Sequence, residues 1–158
     1  RRERLLFVHG SPNSQHEYLL PDMDAFAALE RVESSGADTL FCGHTHMPYV
    51  RELSGGSIQV KVKQAGEETA SERNLELPMR RVVNAGSVGE PRHGSTEATY
   101  VIHHDDSDDI EIREVAYDIE RTCRAIVDAG LPEVFAWRLN HGFEYAERAD
   151  DASHVCER

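Results

Sequence analysis

The sequence predicts an α/β fold, on three observations. Two short apolar runs, Arg4 to Val8 and Thr39 to Cys42, have the character of parallel strands covered on both faces. The stretch between them carries a helical pattern, so the three pieces form one βαβ unit. Both runs lead into histidine beside glycine, His9-Gly10 and Gly43-His44-Thr45-His46, and open α/β sheets place ligands beyond the carboxyl ends of their strands.

Asp22 is positioned to cap a helix on which Met23, Phe26, Ala27 and Val32 recur near helical spacing, with Gly36 as its stop. After Pro48 the pattern changes. Ile58, Val60 and Val62 alternate with Gln59, Lys61 and Lys63, as in a half-exposed antiparallel strand. Gln64 to Pro78 is polar and acidic and reads as a long mobile connection without regular structure. A strand near Arg81 to Asn84 precedes a turn-rich stretch, Ala85 to Gly94. Thr99 to His104 and Ile110 to Val115 form a hairpin around Asp105-Asp-Ser-Asp-Asp109. That acidic turn lacks the glycine and terminal glutamate of an EF-hand loop, which favours a solvated turn over a calcium site.

Asp118 caps a helix with Ile119, Cys123, Ile126 and Val127 on one face, and Gly130 with Pro132 ends it and begins the next. Val134, Phe135, Trp137 and Leu139 are expected to pack that last helix against the sheet. Residues 1–142 form part of a single domain, and residues 143–158 read as a polar C-terminal tail.

The 158 residues, 39% of them hydrophobic, suffice for one domain with a real core. No apolar stretch approaches the ~20 residues of a transmembrane helix, and the first apolar run is too short for a signal peptide, so a cytoplasmic location is expected. Cys42, Cys123 and Cys156 are odd in number and widely spaced, against a disulfide framework or a cysteine zinc site. Cys42 reads as a buried strand residue.

Acidic residues outnumber basic ones 29 to 17, for a net charge of −12, and only Lys61 and Lys63 are lysines. Such a surface repels nucleic acid unless bound cations intervene, so nucleic acid is not expected as a partner except as a phosphodiester substrate. The bias reads as adaptation to high salt. The thermal unfolding midpoint is expected to rise between 0.1 M and 2 M potassium chloride, because a Debye length near ~3 Å at 1 M suppresses carboxylate self-repulsion. An unchanged or falling midpoint would reject that reading.

The histidines carry the chemistry. In an extended segment, side chains at i and i+2 leave the same face roughly 6.5–7 Å apart. His44 and His46 on one face would suit two ions about 3.5–4 Å apart that share an oxygen. His9 adds a third ligand at another strand end. His16 lies in a polar loop and reads as a surface residue. His103 and His104 fall on opposite faces of one strand and read as structural. Arg92 is a candidate for bidentate contact with a substrate phosphate, whereas Asn84 and Ser87 read as residues that shape the turn.

Taken together, His9-Gly-Ser-Pro12, Gly43-His-Thr-His46 and Val83-Asn-Ala-Gly-Ser-Val-Gly-Glu-Pro-Arg92 resemble the calcineurin-like metallophosphoesterases, in particular their compact prokaryotic phosphodiesterase and phosphatase branch. The resemblance runs from about Leu5 to Leu139. It implies a four-layer α/β/β/α sandwich with two divalent ions, manganese foremost and iron, zinc or nickel also admitted by mixed imidazole and oxygen donors. It further implies that His9 and His44 bind one ion and His46 the other. A hydroxide bridging the metals would then attack the phosphorus of a small phosphate mono- or diester.

The family's D-x-H, G-D and G-N-H-D/E motifs have no counterpart. The chain contains neither Gly-Asp nor Asp-x-His, and its one Asn-His pair, Asn140-His141, lacks the preceding glycine. Every carboxylate ligand and the general acid are thereby absent. The expectation is a partial sandwich lacking its N-terminal βα units, the C-terminal portion of a longer protein preceded by about 60–90 residues. Two other readings stay open: a non-catalytic scaffold of the same fold that binds proteins, and a mononuclear zinc hydrolase using His9, His44 and His46.

Overall fold

A computed structural model describes residues 4–53, 57–62, 71–76 and 79–143. The first strand, β1 (Leu5–Phe7), pairs in parallel with β2 (Thr39–Cys42), setting Leu5 against Thr39 and Phe7 against Phe41. The expected βαβ unit is present, joined by α1 (Ala25–Ser35). This helix starts two residues later than Asp22 would place it. Leu20 to Met23 close a turn instead, with Met23 N–H bonded to the Leu20 carbonyl, and the Asp24 carboxylate accepts from Phe26 N and Ala27 N at 3.0 Å each. Gly36 ends it with φ 72°, the left-handed conformation that suits glycine. The buried face is Ala28 and Val32, one turn apart, while Phe26, one of the apolar residues at helical spacing, is 75% exposed.

Two more strands complete this sheet. All five residues of β6 (Arg80–Asn84) are buried; the strand runs parallel to β2 on one side and antiparallel to β3 (Tyr49–Leu53) on the other. The order is β1-β2-β6-β3. Strand β3 was not expected from the sequence. Leu40, Cys42, Leu53 and Val82 pack with Ala28 and Val32 into the main core. Burial of each such aliphatic side chain contributes roughly 1.5–3 kcal/mol. It also pushes the Cys42 thiol up to about 11, leaving an inert buried cysteine as expected.

Arg80 and Arg81 are buried cations at the start of β6, and each is paired. The Arg80 guanidinium donates to Glu33 at 2.8 Å and to Asp38 at 2.5 Å. The backbone N–H of Arg4, then its side chain, donates to Asp38 as well, which holds that carboxyl below its ordinary pKa. On the other face of the sheet, Arg81 bonds the Asp108 carbonyl at 2.8 Å and the Asp108 carboxylate. Asp108 is thereby part of the fold, although the Asp105–Asp109 turn around it is exposed.

Two antiparallel pairs follow. β4 (Ser57–Val62) pairs with β5 (Ser71–Glu76), which corrects the expectation that residues 64–78 lack regular structure; residues 63–70, 77 and 78 lie outside the described set. β7 (Ala98–His104) and β8 (Asp109–Val115) form the expected hairpin. Strand alternation sends Leu40, Cys42 and Val82 toward α1 and Phe41 and Arg81 the other way, where Phe41 meets His103 and Arg81 meets Asp108. The order of layers is therefore α1, sheet, hairpin.

The last two helices are α2 (Ile119–Asp128), capped by Asp118, and α3 (Glu133–His141), ended by Gly142. They bury Cys123, Ala136 and Leu139 against each other. The expected docking of α3 on the sheet is thus replaced by a helical hairpin with a small core of its own. Of the expected 143–158 tail, including Cys156, only Phe143 lies within the described residues.

Candidate metal-binding site

Strands β1, β2 and β6 run parallel and release their chains at the same edge. Beyond the last paired residues the exits stay laced together: Val8 N–H bonds the Phe41 carbonyl and Gly43 N–H the His9 carbonyl, both at 2.9 Å. This brings His9 Nε2 to 3.0 Å from His44 Nδ1. His44 and His46 have φ of 62° and 59°. The extended geometry expected for them is therefore wrong. Both lie past the end of β2 in the left-handed region, where a non-glycine residue costs on the order of 1–3 kcal/mol, so each ring is aimed by its own turn.

Asn84 and Thr99 anchor these strand-end turns. Asn84, fully buried at the end of β6, donates through Nδ2 to the Gly43 carbonyl at 2.7 Å and to Thr45 Oγ1 at 2.9 Å, and its Oδ1 accepts from Gly86 N at 2.9 Å. Gly86 has φ 74° and lies against Thr99, which leaves no room for a β-carbon. Thr99 ties the same turn to β7, with its hydroxyl donating to the Ala85 carbonyl and accepting from Ser87 N. Asn84 and Ser87 thus shape the turn, as their positions in the sequence suggested.

The ring of His46 bonds through Nδ1 to the Glu90 carbonyl at 2.7 Å. A carbonyl only accepts, so Nδ1 carries the proton and Nε2 keeps its lone pair. His44 stacks on Tyr18, with ring centroids 4.3 Å apart, and His16 approaches edge-on at 6.5 Å. Burial, and then the charge of neighbouring His9, lowers the His44 pKa, which favours the neutral, electron-donating ring. His9, His44 and His46 line a cleft of about 740 Å³ together with Phe7, Phe41 and His103. Arg92 is absent from that lining. It sits in the turn behind His46, its backbone N–H bonded to the His46 carbonyl at 3.3 Å and its guanidinium 4.0 Å from Glu90.

The donors fit a divalent ion in part. Two nitrogens each ~2.1 Å from one ion and at right angles to each other lie ~3.0 Å apart, so His9 and His44 have the spacing of neighbouring ligands. The Nδ1–H of His46 on a backbone carbonyl is the outer contact that metal-binding imidazoles characteristically make. Among the described residues, however, no group of three or more His, Cys, Asp or Glu side chains is arranged to hold a metal. Among the described residues, no carboxylate completes such a shell.

Sequence reasoning missed Tyr18 and Glu90. Tyr18 comes from an irregular loop with no periodic signal. Glu90 acts on His46 through its backbone carbonyl, which any residue would offer. His16, read as surface, is exposed but sits beside the site.

Residues 1–108 match the calcineurin-like phosphoesterase superfamily domain, and the chain belongs to that superfamily. Its fold is shared with a crystal structure of a metallophosphoesterase from Sphaerobacter thermophilus, with a TM-score of 0.66 and 26% identity over 89% of this chain and 56% of that one. A hypothetical protein from Pyrococcus horikoshii shares the fold at TM-score 0.64 and 21% identity, over 90% and 48% of the two chains. In sequence, an uncharacterized protein of Methanocaldococcus jannaschii is 32% identical over 139 residues, covering 87% of this chain and 51% of the relative. A UDP-2,3-diacylglucosamine hydrolase of Shewanella piezotolerans is 31% identical over 71 residues, 42% of this chain and 30% of that one. The chain thus spans about half the length, or less, of these relatives. Among the described residues no helix is long and apolar enough to cross a membrane.

Proposed function

We propose that this chain supplies the histidine half of the site of a metal-dependent phosphoesterase, hydrolysing a small phosphate mono- or diester. The observation that carries the reading is the convergence of three imidazoles from two strand ends on one cleft, with His46 held in the tautomer that leaves Nε2 free. In this proposal His9 and His44 hold one divalent ion and His46 a second, manganese being the expected native metal. Such ions would neutralise the charge that develops on the phosphoryl oxygens during hydrolysis. Tyr18 fixes the plane of the His44 ring, and Arg92 is the proposed cation for the ester phosphate, a role that requires its guanidinium to leave Glu90 and turn into the cleft it does not line. The carboxylate ligands and the general acid belong, in this reading, to the length that the relatives have and this chain does not cover. A cytoplasmic location is part of the same proposal.

The test compares a protein of the relatives' full length containing this sequence with the 158-residue chain, both in manganese, on bis-p-nitrophenyl phosphate. The longer protein is expected to turn over, to bind two metals and to lose activity in EDTA. The shorter chain is expected to be at least ~100-fold slower, since it lacks more of the shell than the outer contacts whose loss alone costs 10–100-fold. Equal rates, or hydrolysis that survives EDTA, would place the chemistry elsewhere. One bound metal instead of two would favour the mononuclear alternative.

A further inference from the structure

We infer that Arg138, on α3, is a positioning residue for His46, acting through Glu90. The inference rests on the proposed role of His46 in the site. The linkage is short. The Glu90 carbonyl fixes the His46 ring at 2.7 Å, and the Glu90 carboxylate accepts from Arg138 Nη1 at 3.2 Å. The same guanidinium lies over the Phe135 ring, 5.7 Å from its centroid, which restrains it on the helix.

Two further contacts press the end of α3 onto this turn. Gly94 N–H donates to the Gly142 carbonyl at 3.0 Å. Phe143 covers Gly94 so closely that a β-carbon there would lie 2.9 Å from its ring. The helical hairpin α2–α3 has its own small core, and these contacts link it to the strand-end turns. Glycine-rich backbone from Ala85 to Gly94 has little intrinsic stiffness. A charge-assisted bond at Glu90, itself partly buried, therefore narrows the positions its carbonyl can take. Loss of Arg138 would leave Glu90 held by its backbone N–H on Ser87 Oγ at 2.9 Å and by the more distant Arg92 at 4.0 Å, a looser hold that lets the His46 ring exchange its proton between the two nitrogens.

The readout is the His46 tautomer, taken from long-range proton–nitrogen NMR of this chain at pH 8.5. In the unaltered chain the Nδ1–H form is expected to dominate. In Arg138→Ala the Nε2–H form is expected to rise about three-fold or more, and Arg138→Lys should recover most of the original ratio, because it restores a cation to Glu90. An unchanged ratio in a folded Arg138→Ala chain overturns the inference. If that variant does not fold, Glu90→Gln, which keeps the side-chain shape and removes its charge, must shift the ratio the same way, and no shift overturns it equally. Activity is not read, so failure of the phosphoesterase assay leaves this test standing. A working phosphoesterase with an unmoved tautomer would sink only the role of Arg138.

Discussion

Replacing His44 or His46 by alanine in the full-length protein is expected to lower turnover of bis-p-nitrophenyl phosphate by at least ~100-fold, since a direct ligand should cost no less than an outer contact. His104→Ala should change it less than ~2-fold, as an exposed substitution away from the site. The contrast follows from the geometry. His44 and His46 line the cleft, whereas His104 pairs at 3.1 Å with Glu111, at the outer end of the β7–β8 hairpin. Alanine at position 44 or 46 also meets a left-handed backbone, and so confounds loss of the ring with loss of the turn. His44→Asn separates the two, because asparagine tolerates that conformation. Equal loss in His44→Asn and His44→Ala assigns the effect to the imidazole. If the ring is a ligand, raising manganese should partly restore His46→Ala. Near-normal rates in both alanine variants would reject the site.

Much of this arrangement was legible because strands covered on both faces, helix caps and glycine stops leave local marks. Thr39 to Cys42, the hairpin around Asp105–Asp109, the Asp118 cap and the Gly36 stop are all of that kind. Strand β3 carries no such mark. Tyr49-Val-Arg-Glu-Leu53 follows a proline, and it is made a strand by pairing with β6, thirty residues away in sequence. Strand β5 is similar: its mostly polar residues Ser71 to Glu76 are ordered by backbone bonds to β4, which composition does not report.

The site divides along the same line. Its histidines were visible as residue types at strand ends. Their left-handed backbones, and the Glu90 carbonyl that sets the His46 tautomer, are consequences of tertiary contacts. The error over α3 has the same origin. An apolar helix face says that something covers it, and here the cover is α2 and not the sheet.

Asn84→Asp is expected to destabilise the chain by ~2–4 kcal/mol at pH 8, although it exchanges one amide group for an oxygen. Asn84 is fully buried and its amide donates to two oxygens, the Gly43 carbonyl and Thr45 Oγ1, with Cys42 Sγ 3.5 Å away. A carboxylate in its place has no hydrogen to offer and turns negative charge toward the Gly43 carbonyl. Burial and those acceptors disfavour the charged form, so the new carboxyl should have a folded pKa above its unfolded value of about 3.9.

The sign of the pH effect follows. With the folded pKa raised, the folded state holds the proton more tightly, and the penalty grows as pH rises from near 4 through the folded pKa, then levels off above it. Urea midpoints at pH 5 and pH 8 should therefore show a smaller gap from the parent chain at the lower pH, where a protonated carboxyl can again donate to Gly43. Asn84→Leu, which cannot titrate, should lose stability equally at both. A penalty for Asn84→Asp that does not change with pH would mean that the amide is not the donor joining the β2 and β6 exits, and the structural support for His44 would have to come from elsewhere.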